Sequence, residues 1–341
     1  MIGDGARFSG TSDVDPAQLE QAIKAPCAWH AADLTPNDWI MPIPANVMAE
    51  LDNLAGILNS YGGSIEALTP DRFALSAATE LMDSVRTRVN EGVGFAVLDR
   101  LPVERWGDKV AKAVAWVLTS MLGPVVMQKV DGTRLYEVKD SGAKLGYGVR
   151  RSITNLDQDF HTDGGWLSET PEITTLVCMR PASSGGLSRV ASLATAHNQL
   201  RGRHPDLLGR LYRPFWWDRQ AEHLPEESKS SRHPVFAKSD GKLTVRHYDD
   251  YVRKGYKLLC AHLDQQGDAA LVAMKAIVNA PENWIEFRLE PGQIEYVNNH
   301  VLAHARTAFE DDSTNGGRYL LRLWNRRAGG IELEQSTEAA E

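Results

Sequence analysis

Residues 156–166 read LDQDFHTDGGW and place a histidine and an acidic residue close together in a polar segment that ends in two glycines and a tryptophan. His161 and Asp163 are two positions apart, so on an extended strand both side chains leave the same face. An imidazole and a carboxylate on one face can chelate a single metal ion. With a second imidazole they would form the two-histidine, one-carboxylate arrangement that binds iron(II) and leaves the opposite coordination positions open.

This spacing is weakly specific by itself, because His204/Asp206 and His262/Asp264 share it. His204 precedes Pro205 in a segment with helical periodicity, and His262 lies in a segment that we predict to be helix or turn. Side chains two positions apart diverge on a helix, so neither pair is predicted to hold a metal.

The chain after about residue 145 contains short apolar or alternating segments, most of them bounded by Gly, Pro, Asn or Asp, as is typical of strands. Many short antiparallel strands predict a sandwich or jelly roll, which can hold a small-molecule site in its mouth. The predicted strands are ITTLVCMR (173–180), LSRVAS (187–192), LTVRHY (243–248), WIEFRL (284–289), QIEYVNNHVLAHAR (293–306) and YLLRLWN (319–325).

Apolar residues recur every three or four positions in several other segments, which predicts amphipathic helices. Three of these precede the strand-rich part and flank a predicted strand, GFAVLDRL (94–101), and two interrupt the later strands. The predicted helices run from about Ala45 to Ser60, Leu75 to Val89, Trp106 to Met121, Leu193 to Tyr212 and Ala269 to Ala280.

The order of these elements predicts an α+β fold in one domain over 1–341. A helical accessory region with the first strands would occupy about 13–144, and a core with helical insertions would occupy about 145–327. The small polar residues at 1–12 and 331–341 predict flexible ends.

A third metal ligand has to come from a distant part of the sequence, and VNNHVLAHAR (297–306) offers His300 and His304. Both have the same parity on a strand, so alternation does not choose between them.

Four motifs in order resemble the taurine dioxygenase and clavaminate synthase-like family of Fe(II)/2-oxoglutarate-dependent oxygenases. They are FHTDG, GGLS, NN-x-x-x-x-H-x-R and R-x-x-x-R-L-W, and they span about residues 145–327. The resemblance implies a double-stranded β-helix, or jelly roll, as the core. It also implies that His161, Asp163 and His304 are the iron ligands, which leaves His300 as a neighbour.

The same resemblance implies which residues bind the co-substrate. Arg318 lies 14 positions after His304, where the clavaminate synthase branch has the arginine that pairs with the far carboxylate of 2-oxoglutarate. Ser188 stands where the family usually has a threonine that donates to that carboxylate. Arg322 is a further candidate on the same face, and we expect these arginines to lie beside the strand of the distal histidine.

The resemblance implies an enzyme that uses Fe(II), 2-oxoglutarate and O2 to hydroxylate or desaturate an unactivated C–H bond, with release of succinate and CO2. An aspartate at position 163 favours this over chlorination, because chlorinating members have a small residue there. We expect a small polar metabolite as substrate, such as an amino acid or a natural-product intermediate. The alternatives are a non-catalytic binder of the same fold and a zinc-dependent hydrolase that uses the same three ligands.

Composition restricts the partners. The chain has 43% hydrophobic and 24% charged residues and a formal net charge of −8, which argues against general binding to nucleic acid or anionic membranes. No apolar run suits a membrane span and the start lacks the features of a secretion signal. The three widely spaced cysteines form no disulfide pattern, so we expect a cytoplasmic protein.

Overall fold

The computed structural model describes residues 21–144, 146–239, 242–312 and 316–326. The flexible ends predicted at 1–12 and 331–341 lie outside these residues. Among the described helices, none is both long and apolar enough to cross a membrane.

The α-helices group into an N-terminal set and a set inserted between the later strands. They are α1 (Pro36–Trp39), α2 (Ala45–Asn59), α3 (Ser76–Glu91), α4 (Val103–Ser120), α5 (Leu193–Arg203), α6 (Pro205–Leu211), α7 (Asp249–Leu258) and α8 (Gln265–Val278). Short 3-10 helices cover Ala31–Asp33, Ile65–Ala67, Pro70–Arg72, Arg151–Ile153 and Pro281–Asn283.

The strands begin with β1, directly after α1, and continue to the end of the described chain. They are β1 (Ile40–Pro42), β2 (Phe95–Asp99), β3 (Val125–Val126), β4 (Tyr136–Val138), β5 (Gln158–His161), β6 (Ile173–Arg180), β7 (Ser184–Gly185), β8 (Ser188–Ser192), β9 (Phe215–Asp218), β10 (Ser230–His233), β11 (Phe236–Ser239), β12 (Lys242–Val245), β13 (Trp284–Phe287), β14 (Ile294–Asn298), β15 (Leu302–Arg306), β16 (Phe309–Glu310) and β17 (Tyr319–Asn325).

Two sheets form the core. The seven-stranded sheet has the order β1-β2-β14-β6-β17-β3 with β4 also paired to β17, and the four-stranded sheet has the order β13-β8-β15-β5. One apolar cluster contains Phe95, Val297 and Leu320 from the larger sheet together with Val190 and Leu302 from the smaller one. The two sheets therefore face each other across a shared interior, and the predicted α+β fold with a jelly-roll core is confirmed.

Helices cover the outer faces of both sheets. The N-terminal helices α2, α3 and α4 share an apolar cluster with Tyr296 and Leu321, whose neighbours in sequence face the interior. The inserted helices α5 to α8 share another cluster with Ala191 and Ala303 of the smaller sheet. The N-terminal helices and strand β2 match the predicted accessory region, while the division of the chain near residue 145 stays a prediction.

The segment 293–306 was predicted as one strand, and this is wrong. The structure has β14 in the larger sheet and β15 in the smaller one. The Asn298 side-chain oxygen accepts a hydrogen bond from the backbone N–H of His300 at 3.0 Å, which starts a turn. The chain crosses from one sheet to the other at this turn, so a strand parity shared by His300 and His304 does not exist.

Two of the helix predictions also need correction. The predicted helix Leu193–Tyr212 is divided into α5 and α6, because His204 has a non-helical backbone just before Pro205. Helix α7 was not predicted, since Gly255 lies in its middle and only Val252 and Gly255 are buried. A Cβ on Gly255 would lie 2.5 Å from the carbonyl oxygen of Trp216, so the glycine permits close packing on β9.

Candidate metal centre

The structure brings His161, Asp163 and His304 together between the two sheets. His161 ends β5, His304 lies in β15, and the two residues are direct partners in the antiparallel ladder. Their nearest ligand atoms and those of Asp163 all lie within 4.8 Å of one another, and all three side chains are buried. The Nε2 atoms of His161 and His304 are 3.7 and 3.8 Å from the two carboxylate oxygens of Asp163.

His300 is not in this cluster. It lies in the turn between β14 and β15, where burial lowers its imidazole pKa to about 4 and the backbone of Thr170 contacts the ring. Strand parity left the choice between His300 and His304 open. The structure places His304 in the cluster, in agreement with what the resemblance implied.

Both imidazoles of the cluster are prepared to coordinate a metal. Burial lowers the pKa of His304 to about 3, with the nearby His161 adding to the effect, so the ring is neutral at physiological pH. Burial also lowers the pKa of His161. The His161 Nδ1 atom lies 2.9 Å from the Asp159 carbonyl oxygen, so Nδ1 carries the proton and Nε2 keeps its lone pair.

Gln158 lies at the same end of β5 and contacts this lone pair. Its side-chain nitrogen is 2.8 Å from His161 Nε2. Because a metal ion would use the same lone pair, Gln158 has to turn away when the metal binds.

The carboxylate of Asp163 is held by three donors from the larger sheet. Arg322 donates to Oδ1 at 2.9 Å, while Trp324 and Thr174 donate to Oδ2 at 2.9 and 3.0 Å. Burial opposes ionisation of Asp163, but Arg322 and the neighbouring histidines outweigh it and keep its pKa well below the ordinary value. The group is therefore a carboxylate at neutral pH.

The backbone of Asp163 is fixed as well. The Asn299 side chain accepts from the Asp163 N–H at 2.7 Å and donates to the carbonyl oxygens of Asp163 and Pro171, each at 3.0 Å. Gly164 follows with φ +65, where a Cβ would lie 2.9 Å from the side chains of Leu167 and Pro171. This explains the NN and DG pairs of the motifs, since one asparagine and one glycine fix the turn that presents Asp163.

Comparison with known proteins identifies the family. The family model described as taurine catabolism dioxygenase TauD, TfdA family matches residues 64–324. The chain belongs to this family. The protein is therefore an Fe(II)- and 2-oxoglutarate-dependent dioxygenase.

Similar proteins match over most of the dioxygenase. FR-33289 synthase from Streptomyces rubellomurinus is 28% identical over 325 residues, which cover 93% of this chain and 94% of that protein. Uridine-5'-phosphate dioxygenase from a Streptomyces species is 31% identical over 173 residues, which cover 50% of this chain and 61% of the relative. The solved structure of an asparagine oxygenase with Fe(II), 3-hydroxyasparagine and succinate has a TM-score of 0.66 at 17% identity and covers 84% of this chain and 93% of its own.

The three predicted co-substrate residues of the dioxygenase lie in two different environments. Arg318 precedes β17 and is buried, with its guanidinium carbon 5.2 Å from the Phe309 ring centre. Ser188, which begins β8, is also buried and donates to Glu295 at 3.1 Å. Arg322 instead contacts Asp163 and donates through Nε to Gln128 at 2.7 Å.

Arg318 was expected to lie beside the strand of the distal histidine, and this is wrong. Strand β17 pairs with β6, β3 and β4 of the larger sheet, whereas His304 lies in the smaller sheet. The backbone of Arg318 therefore belongs to the opposite wall of the interior, while its guanidinium lies close enough to interact with Arg306 of β15. Its Nη1 has no hydrogen-bond partner among the described residues.

The residues fit both cofactors of the dioxygenase. Two neutral imidazoles and one carboxylate match the preference of iron(II), and three protein ligands leave positions for other groups. A buried guanidinium nitrogen without a partner suits a carboxylate such as the far end of 2-oxoglutarate. When bound, the iron and its co-substrate supply the oxidising power, while the protein fixes the ligands and aims the substrate.

A small recess, partly open to solvent, lies next to this site. It is bordered by His161 and Asp163 and also by Arg150, Trp166 and Tyr251. The Arg150 guanidinium donates to Glu222 at 2.6 Å and lies 5.6 Å from the Trp166 ring centre. The wall of the recess is therefore both polar and aromatic.

Several of these contact residues were missed in the sequence. Gln128 lies outside the quoted segments, and Gln158 lies in LDQDFHTDGGW but outside the four motifs, so no pattern marks either of them. Glu295 falls within QIEYV, where the apolar Val297 has the same parity. That parity is a usable signal, because it predicts that an acidic side chain lies on a buried face.

Proposed function

We propose that this dioxygenase hydroxylates an unactivated C–H bond of a small polar metabolite, such as an amino acid or a natural-product intermediate, with release of succinate and CO2. His161, Asp163 and His304 are the proposed iron ligands. The observation that carries the proposal is the polar recess that borders two of these residues. A substrate bound there would lie directly beside the metal, which is the positioning that hydroxylation requires.

The polarity of the expected substrate follows from unpartnered donors in the recess wall. Arg150 Nη1, Ser152 Oγ and Trp166 Nε1 are buried and have no hydrogen-bond partner among the described residues. Buried polar groups are normally satisfied, and leaving them unpaired is costly. A substrate with carboxylate, phosphate or amide oxygens would satisfy them, whereas a hydrocarbon would not.

The printed names of similar proteins support the same class. One relative is a uridine-5'-phosphate dioxygenase, and the structural neighbours include an asparagine oxygenase and an oxygenase bound to 3-hydroxy-L-arginine. All three names contain a small, highly polar molecule. Hydroxylation rather than chlorination is favoured because the Asp163 carboxylate is present and held by three donors.

For the co-substrate we propose that Arg318 and Ser188 hold the far carboxylate of 2-oxoglutarate. The unpartnered Arg318 Nη1 and the buried Ser188 hydroxyl support this role. Arg322, a co-substrate candidate in the sequence, already pairs with Asp163, so we propose that it orients the metal ligand and can reach the near end of the bound keto acid.

An anaerobic titration of the Fe(II)-loaded protein with 2-oxoglutarate tests the cofactor part of this function. The weak visible charge-transfer band of the keto-acid chelate should appear in wild type and be lost in His304→Ala, which lacks the distal ligand. If wild type never develops the band, the arrangement does not bind iron and 2-oxoglutarate together, and oxygen-independent hydrolysis with zinc becomes the function to assay.

A screen for substrate-stimulated succinate release tests the substrate part. Amino acids and nucleoside monophosphates should stimulate release more than apolar compounds do. For the best compound, Arg150→Gln should raise the KM, while Arg189→Gln should not, because Arg189 pairs with Glu286 on the outside of β8. An equal effect of both substitutions, or a preference for hydrocarbons, would contradict the assignment of the recess.

A further inference from the structure

The carboxyl group of Glu295 lies at the proposed site for the far carboxylate of 2-oxoglutarate. Glu295 lies in β14 and is fully buried, with 0% of its surface exposed. Its Oε2 accepts the hydrogen bond from the Ser188 hydroxyl at 3.1 Å, and its Oε1 has no partner among the described residues. The Ser188 hydroxyl, which we propose to bind 2-oxoglutarate, thus already donates its hydrogen bond to Glu295.

The surroundings of Glu295 contain few charges. Its direct partners on the adjacent strands β2 and β6 are the apolar Val97 and Leu176. The charged group that acts on it is Arg318, which precedes β17 of the same sheet. Two further titratable groups lie close to this site. Cys178 of β6 interacts with Arg318, and Arg306 of β15 is the ladder partner of Ser188.

Of these groups, only Glu295 changes its charge near neutral pH. Burial raises the pKa of Glu295 to about 7, against the lowering effects of Ser188 and Arg318. Burial lowers the pKa of Arg318 to about 10 and that of Arg306 to about 9, so both are cations at pH 7. Burial raises the pKa of the Cys178 thiol to about 12, so it is neutral.

Two ionised carboxylates cannot share one buried arginine and one hydroxyl without strong repulsion, because like charges in a poorly solvated site favour the protonated form of one partner. 2-Oxoglutarate is fully ionised at neutral pH, and its carboxylate would lie at Arg318 and Ser188. Of the two carboxyl groups, Glu295 is the one that takes the proton.

We propose that the protonated form of Glu295 is the one that binds 2-oxoglutarate and donates a hydrogen bond to its far carboxylate, so that a co-substrate molecule binding to the ionised form takes up one proton from solvent. The inference rests on the proposed roles of Arg318 and Ser188. In the ionised form, the negative charge of Glu295 attracts Arg318 and repels the carboxylate of the co-substrate. Glu295 therefore makes the affinity for 2-oxoglutarate depend on pH.

The sign of the coupling follows from linkage. Below the pKa of Glu295 the carboxyl group already carries its proton, so the Kd for 2-oxoglutarate should be constant. Above it a proton has to be taken up, and the Kd should rise about tenfold for each pH unit. The window for the measurement is about pH 6 to 8, below the range in which Arg306 titrates.

The experiment measures binding and not turnover. Anaerobic Fe(II)-loaded protein is titrated with 2-oxoglutarate at several pH values, and the charge-transfer band gives the Kd. Calorimetry at pH 8 in two buffers of different ionisation enthalpy counts the protons taken up. Glu295→Gln preserves shape and hydrogen bonding without a charge. The control is Glu286→Gln, because Glu286 is a partly exposed carboxylate of β13 that pairs with Arg189.

The expected result is nearly one proton per 2-oxoglutarate in wild type and in Glu286→Gln, and a Kd in Glu295→Gln that no longer depends on pH. Uptake of no proton by wild type overturns the proposal, and this result does not depend on any variant folding. The same pH dependence in Glu295→Gln also overturns it. If wild type binds no 2-oxoglutarate at any pH, the proposed function fails instead.

Discussion

Replacement of Asn299 by alanine should release the loop that presents Asp163. The substitution removes three hydrogen bonds, two to the backbone of Asp163 and one to Pro171, at a side chain with 0% exposure. At about 1 kcal/mol for each net hydrogen bond, the free energy of unfolding should fall by about 3 kcal/mol. That loss is a large part of the stability of an ordinary domain, which is about 5–15 kcal/mol.

The same substitution should weaken iron binding about 10- to 100-fold, the usual effect of losing a group that orients a metal ligand. Urea unfolding of the metal-free protein gives the stability, and equilibrium dialysis of Fe(II) under argon gives the affinity. Asn298→Ala is the matched control. The Asn298 side chain bonds to the backbones of His300 and Val89 and not to Asp163, so this variant should lose stability but keep its iron affinity.

Two results would refute this reasoning. Asn299→Ala could keep both its unfolding midpoint and its iron affinity, which would mean that the Asp163 loop is held by other contacts. Alternatively, Asn298→Ala could lose as much iron affinity as Asn299→Ala, which would mean that the whole turn acts as a unit.

Three further substitutions test the assignment of individual residues. His304→Ala should abolish iron binding and turnover whereas His300→Ala should retain the metal, and equal iron loss by dialysis would refute the choice of distal ligand. Arg318→Ala should raise the Kd for 2-oxoglutarate roughly 10- to 100-fold, as expected for the loss of a charge-assisted hydrogen bond, and an unchanged charge-transfer titration would reassign this arginine. Thr174→Val removes one of the donors to Asp163 Oδ2 and should lower iron affinity about tenfold at similar stability; no change would show that Trp324 alone orients that oxygen.

Local patterns predicted much of this fold. The helices Ala45–Asn59 and Val103–Ser120 and the strand Ile173–Arg180 lie where the periodicity of apolar residues predicts them. The helices show apolar residues at helical spacing, and the strand is a short, largely apolar run that is buried on both faces. Periodicity failed at Asp249–Leu258, where half of the residues are charged and a glycine in the middle of the helix lets it contact a strand.

The metal site could be predicted only in part from such local patterns. The spacing of His161 and Asp163 indicates that they can share a metal, although Asp163 lies in the turn after β5 and not on the strand. The choice of His304 needed resemblance, because the crossing from β14 to β15 is a tertiary feature. Two of the side chains that donate to Asp163 are those of Thr174 and Arg322, which are 11 and 159 positions away. Contacts over such distances depend on the pairing of strands, which a single sequence does not specify.

The origin of the donors to Asp163 has a consequence for the evolution of new chemistry. Both histidines belong to the smaller sheet, whereas the donors Thr174, Arg322 and Trp324 all belong to the larger one. The larger sheet thus forms a receptor for a negative charge, and the chain fills it with its own carboxylate. Shortening Asp163 would leave a cation and two neutral donors beside the metal, ready for a halide ion from solvent. In this scaffold, a change from oxygen transfer to halogen transfer starts from one side chain, since the anion receptor already exists.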